Sequence, residues 1–191
     1  VVMRRKRKLV TVYEWNDDVY NIPPWNPQYR FFTQPYVRQT IERLAKMADA
    51  VQFSSPILEE TYKWLNKRRI TFINHLLMVP DVKANLREDG ILEIGYGGSA
   101  GHLYDVGSIA PALFAWIKSR GNVRLNIMAA KPIGDLFSSI PSNQLRLFPT
   151  GSIVEYYNFV KQLHIGIAPL LDTPFNRSRS DVNPSLSLSV L

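Results

Sequence analysis

The densest group of chemistry-bearing residues is the run 95–102, GYGGSAGH, followed three positions later by Asp105. Glycines let a backbone turn sharply and come close to a ligand, and the amides at a helix start favour anions. On that reading Gly97, Gly98 and Ser99 cradle a phosphate, while His102 and Asp105 contact a phosphate or a sugar hydroxyl. The spacing is not the G-x-G-x-x-G of a dinucleotide-binding turn, because the predicted helix opens only near Asp105. The plainer alternative is a glycine-rich strand-to-helix turn, with His102 in solvent and Asp105 as the helix N-cap. A second group occupies 171–181, LDTPFNRSRSD. There Arg177 and Arg179 suit a diphosphate, and Ser178 and Ser180 offer hydroxyl and amide donors. A solvated loop is the alternative.

These groups need elements to hold them. Residues 9–13 (LVTVY) are β-branched and aromatic and predict a buried strand, closed by the polar run 14–18. The three prolines of 22–27 exclude a regular helix or central strand there. Val37, Ile41, Leu44, Ala45 and Ala48 recur at helical spacing, predicting a helix over 34–48. A short strand over 50–53 leads to Ser54, Ser55 and Pro56, which open a helix over 57–65. Residues 70–79 are apolar and predict a further strand. Residues 82–90 are charged and aperiodic and predict a linker. Beyond it the pattern alternates: strand 91–94, helix 105–118, strand 123–128, short helix 134–140, strand 145–148, helix 152–163 and strand 165–170. Residues 183–191 alternate serine and leucine and predict no element. Alternation of this kind predicts an α/β fold with parallel sheets. Open parallel sheets bind ligands beyond the carboxyl ends of their strands. That rule points to 95–102, 129–131, 148–151 and 171–181, and brings Lys131 into the candidate set.

Composition narrows the classes. At 191 residues the chain can bury one large core or two small ones. It has no cysteine, which excludes disulfides, thiolate metal sites and cysteine nucleophiles and fits a cytoplasmic protein. No apolar run approaches the roughly 20 residues needed to span a bilayer. The net charge of +7 is concentrated at 4–8 and 67–69. Basic helix ends account for both clusters, and peripheral association of 4–8 with an anionic membrane is the other reading. Nucleic acid is not an expected partner, because the aromatics are not interleaved with the charge.

Several segments together resemble one family. Residues 94–102 with Asp105 look like the start of the donor-binding domain of group 1 (family four) glycosyltransferases, which have the GT-B fold. Residues 164–172 and 174–181 are similar to that domain's loop before its ligand-contacting helix. Upstream, 12–18 with Ile22 and Pro23 resembles the acidic pair and proline of the acceptor domain, and 48–51 with 54–56 resembles that domain's last strand and helix. The resemblance implies an α/β chain of Rossmann-like parallel sheets, divided into a partial acceptor domain (1–81), a linker (82–90) and a truncated donor-binding domain (91–191). It implies a retaining, metal-independent transfer of sugar from a nucleotide diphosphate sugar to a hydroxyl of a carbohydrate or lipid-linked acceptor, with no cofactor. The donor would meet Gly97, Gly98, Ser99, His102, Asp105, Lys131, Phe175, Asn176, Arg177, Arg179, Ser180 and Asp181. Asp17, Asp18 and His102 are the catalytic candidates; for the aspartates, turn formation is the alternative. The family's lysine after Ser-Asp is Asn183 here, its first glutamate falls near Leu186 or Ser187, and no acidic residue follows Asp181. A fragment of a transferase, or a non-catalytic module that at most binds nucleotide, is therefore expected.

Overall fold

A computed structural model describes residues 9–72 and 89–179. Contacts divide them into two units, the first formed by 9–72 with 172–179 and the second by 89–171.

The first unit carries β1 (Val12–Trp15), α1 (Tyr29–Phe32), α2 (Pro35–Met47), β2 (Ala50–Phe53), α3 (Pro56–Tyr62), β3 (Arg69–Thr71) and, after the second unit, α7 (Pro174–Arg177). The strands are parallel in the order β1-β2-β3. Tyr13 lies opposite Val51 and Trp15 opposite Phe53, so alternate positions share one face. That face packs against Ala45 of α2 and against Leu58, Tyr62 and Leu65. Full burial of side chains such as Phe53 and Leu58 supplies roughly 1.5–3 kcal/mol each. Ser55 caps α3, accepting from the Leu58 amide at 3.2 Å, and its hydroxyl donates to the Ser178 carbonyl at 2.6 Å. One side chain thus ties residues 123 positions apart.

The second unit carries β4 (Leu92–Gly98), a 3₁₀ turn (Ala100–His102), α4 (Leu103–Lys118), β5 (Val123–Ala129), α5 (Lys131–Asp135), β6 (Leu145–Phe148), α6 (Ile153–Val160) and β7 (Ile165–Gly166). Its four strands are parallel in the order β6-β5-β4-β7. One face holds the core of Ile94, Tyr96, Leu125 and Ile127 with Val106, Ile117, Ile133 and Phe137. A separate cluster of Met128, Phe159 and Leu163, with Phe148 and Tyr156 against it, brings in α6. The parallel α/β architecture expected from the alternating pattern is the architecture observed.

Several expectations change. β1 begins at Val12, not Leu9, and includes Glu14 and Trp15; the Trp15 ring packs on Tyr62 at 4.9 Å, which draws the strand onward. The glycine run is not a turn over most of its length, since β4 continues through Gly98. Asp105 is not the N-cap of α4 but lies in its first turn. The short helix starts at Lys131 rather than 134, because Pro132 suits a first helical turn. β7 has two residues instead of six; it is an edge strand, and Pro169 supplies no amide beyond it. Of the linker, Asp89 and Gly90 are described, and Gly90 has φ +73°, which glycine adopts at no steric cost. The expectations for 4–8, 73–79 and 183–191 lie outside the described residues, as do Ser180 and Asp181.

Candidate functional site

The parallel register sets the candidate rim in the second unit. Gly98 aligns with Ala129, and Met128 with Phe148, so β4, β5 and β6 end at one edge. The chain leaves that edge through Ser99 and the 3₁₀ turn into α4, through Lys131 into α5, and through Ser152 into α6.

Why β4 stays extended through three glycines is a matter of packing. A Cβ at Gly95 would meet Leu163 at 2.6 Å, and one at Gly97 would meet Tyr156 at 2.6 Å. At Gly98 the added carbon would strike the Tyr96 hydroxyl. These glycines let α6 and neighbouring rings close on the strand. That role accounts for Gly95 and Gly97 with no ligand at all.

His102 and Asp105 form the best-defined polar pair at the rim. His102 Nδ1 lies 2.8 Å from Asp105 Oδ2, and their side chains are 13% and 6% exposed. The other carboxylate oxygen, Oδ1, accepts from the Leu171 amide at 2.9 Å. The expected solvent-exposed histidine is therefore half of a largely buried pair. Lys131, by contrast, is 85% exposed and ion-paired with Asp135 at 2.7 Å, one turn along α5. At the third exit Ser152 and Glu155 form a capping box. Glu155 Oε2 accepts from the Ser152 amide at 2.6 Å, and this bond holds the Glu155 carboxyl below its ordinary range. The α6 terminus thus already carries an anion, and the expected ligand segment 148–151 leads to a helix start that repels phosphate.

Residues 172–179 group with the first unit, whereas the sequence reading places them in the donor-binding domain. The candidates therefore divide between two units. Thr173 caps α7 by accepting from the Asn176 amide at 3.1 Å. Phe175 is buried, so its ring serves packing. The Arg179 guanidinium lies 5.7 Å from the centre of that ring. Arg177 makes a two-point contact with Asp172, with Nη2 2.6 Å from Oδ2, which holds the Asp172 carboxyl below its usual range. A diphosphate at Arg177 has to displace that carboxylate. Asp17 is exposed, while Asp18 is buried, accepting from the Tyr62 hydroxyl and from Asn21 Nδ2 at 2.9 Å. Asp18 thus links the turn at Asn21 to Tyr62 of α3.

One polar cluster escaped the sequence reading. Glu93, 2% exposed on β4, accepts from Arg124 Nη1 at 2.6 Å and from Asn126 Nδ2 at 2.8 Å, and Arg146 Nη1 lies 3.7 Å away. The signal was polar residues recurring in three predicted strands, where Glu93 pairs with Arg124 and Asn126 with Arg146. No three of His, Cys, Asp and Glu come together as metal ligands among the described residues. Nor, among them, is any helix long and apolar enough to cross a membrane.

The class defined is thus a parallel α/β chain of two sheet-bearing units, with a polar rim on the second. No protein-family model matches the chain, and no curated protein does. Among solved structures it is similar to a candidate UDP-N-acetylglucosamine 2-epimerase from Listeria monocytogenes, at 13% identity and a TM-score of 0.48 over 86% of this chain and 47% of that one. It is also similar to a mutant O-GlcNAc transferase from Thermobaculum terrenum, at 12% identity and a TM-score of 0.42 over 67% of this chain and 27% of that one. The chain spans less than half the length of either.

Proposed function

We propose that this chain is part of a GT-B-type glycosyltransferase of group 1 character, whose second unit binds a nucleotide diphosphate sugar at the rim beyond β4 and β5. The observation that carries the reading is the buried His102–Asp105 pair where a glycine-bearing parallel strand enters a helix. Open parallel sheets place ligands at this end. The reaction would be a retaining, metal-independent transfer to a hydroxyl of a carbohydrate or lipid-linked acceptor. Charge growing on the leaving nucleotide diphosphate would then fall to protein donors. Lys131 suits that task, since an exposed pair with Asp135 is worth little and opens readily. Arg177 and Arg179, which group with the first unit, are the other cations that the resemblance offers for that task. The protein would work in the cytoplasm, with residues 4–8 contributing to peripheral membrane contact.

A non-catalytic module with the same fold is the second reading. It is favoured by Gly95 and Gly97, which are occupied with packing, and by the Asp172 carboxylate that already holds Arg177. Calorimetric titration with UDP, GDP, UDP-glucose and GDP-mannose, run beside a donor-hydrolysis assay, separates the two. Binding with hydrolysis supports the transferase, and binding without it supports the module. No binding of any of the four overturns both donor-site readings. Arg177→Ala is expected to weaken nucleotide-diphosphate binding more than Arg4→Ala; equal effects would remove the arginine loop from the site.

A further inference from the structure

Asp105 stands in the first turn of α4 with both carboxylate oxygens engaged, by His102 Nδ1 on one side and the Leu171 amide on the other. Its own backbone carbonyl accepts from the Ser108 hydroxyl at 2.7 Å. An ionised carboxylate only accepts hydrogen bonds. The nitrogen of His102 that faces it must then carry a proton, and in the neutral ring the lone pair resides on Nε2. His164 has the opposite arrangement. Its Nδ1 lies 3.0 Å from the Glu93 amide, which can only donate, so the proton of the neutral His164 ring sits on Nε2. The same unit therefore contains two histidines whose tautomers are dictated in opposite senses by fixed neighbours.

We infer that Asp105 is a positioning residue rather than a donor contact: it fixes His102 in the Nδ1–H form and fastens the Leu171 end of the β7 segment to the start of α4. Carboxylate partners fix imidazole tautomers and ring orientation in this way at many functional histidines. The clamp itself is independent of any ligand; it bears on the donor-site reading above, on which this link rests, because it orders the rim proposed to hold the donor. A helix start tolerates this arrangement because the Asp105 carboxylate complements the helix dipole there. The inference reassigns Asp105, which the sequence placed among the residues touching donor.

Histidine tautomers are read directly by long-range ¹H–¹⁵N correlation spectra of the ¹⁵N-labelled full chain. The sequence has only three histidines, so His75→Gln, His102→Gln and His164→Gln assign every signal. The wild-type spectrum should show His102 as Nδ1–H and His164 as Nε2–H at a pH where both rings are neutral. An Nε2–H pattern for His102 in the wild type overturns the clamp, and this needs neither activity nor a variant. Asp105→Ala should convert His102 to the Nε2–H form and leave His164 unchanged. An unmoved His102 signal in that folded variant also overturns it. Calorimetric titration with UDP-glucose and with UDP keeps the two readings apart: wild-type protein that binds neither, yet shows His102 as Nδ1–H, overturns the donor reading and keeps the clamp.

Discussion

Replacing Glu93 with leucine removes the carboxylate that Arg124, Asn126 and Arg146 approach inside the second unit. Removing a partner from a buried ion pair costs about 3–5 kcal/mol, because the other charge stays desolvated. Three details place this site at the lower end. Arg124 Nε keeps its bond to the Asn143 carbonyl at 3.1 Å, and Asn126 Nδ2 keeps the Ile94 carbonyl at 3.1 Å. Arg146 is 38% exposed and contributes little beyond what water supplies. The expected loss for Glu93→Leu is therefore about 3 kcal/mol. In a chain of this length, that lowers the melting temperature by roughly 6–12 °C. Glu93→Gln keeps an acceptor for Asn126 but not the charge, and should lose about half as much. Adding Arg124→Met to Glu93→Leu should recover at least about 1 kcal/mol, since the stranded cation is gone. Urea unfolding followed by far-ultraviolet circular dichroism measures all three. A Glu93→Leu protein within about 0.5 kcal/mol of wild type, or a double variant no more stable than the single, refutes the account.

Three further outcomes follow from the same coordinates. Gly95→Ala pushes a methyl group into the buried Leu163 side chain and should cost about 1–3 kcal/mol, seen as a lower thermal midpoint; no change would mean that the α6 side moves away freely. Ser55→Ala removes both the α3 cap and the donor to Ser178, for a loss of about 2 kcal/mol in the same urea experiment, and a loss below about 0.5 kcal/mol would discount the bridge. Burial, and then the Glu42 hydrogen bond, push Tyr20 up to about 12, while burial and Asp18 also raise Tyr62. Both groups favour the protonated folded form. Their stabilising share is intact below pH 10 and falls as pH rises from there, through about 12 for Tyr20 and further for Tyr62. Stability that stays level between pH 9 and 11.5, with tyrosine ionisation followed by ultraviolet absorbance, would contradict those environments.

What could be read from the chain alone depended on how local the cause was. β2 and β6 appear over the residues expected, and α2 within one residue at each end, because β-branched runs and helical apolar spacing are local signals. The capping serine before Pro56 was legible for the same reason, with Ser55 taking the role. Glycine type cannot distinguish a backbone opening for a ligand from one making room for Leu163 and Tyr156. Those contacts come from helix α6 and from Leu163 just after it, more than 50 residues downstream, and no window around Gly95 contains them. Likewise, the arginine loop read as diphosphate-binding, yet Asp172, five positions before Arg177, supplies the counter-charge. His102 and Asp105 were both named from the sequence as donor contacts, and their side chains lie 2.8 Å apart. Their division of labour was not legible, because it turns on the amide of Leu171, 66 residues away from Asp105.

The Ser55–Ser178 bridge also bears on how this chain is made. A ribosome releases β1 to β3 early, and domains usually fold in order from the N-terminus. Here the first unit lacks α7, and the partner for its Ser55 hydroxyl, until translation has passed the whole of the second unit. Synthesis halted after β3 would leave an unfinished body, and the last step of its assembly waits on a segment that emerges more than a hundred residues later.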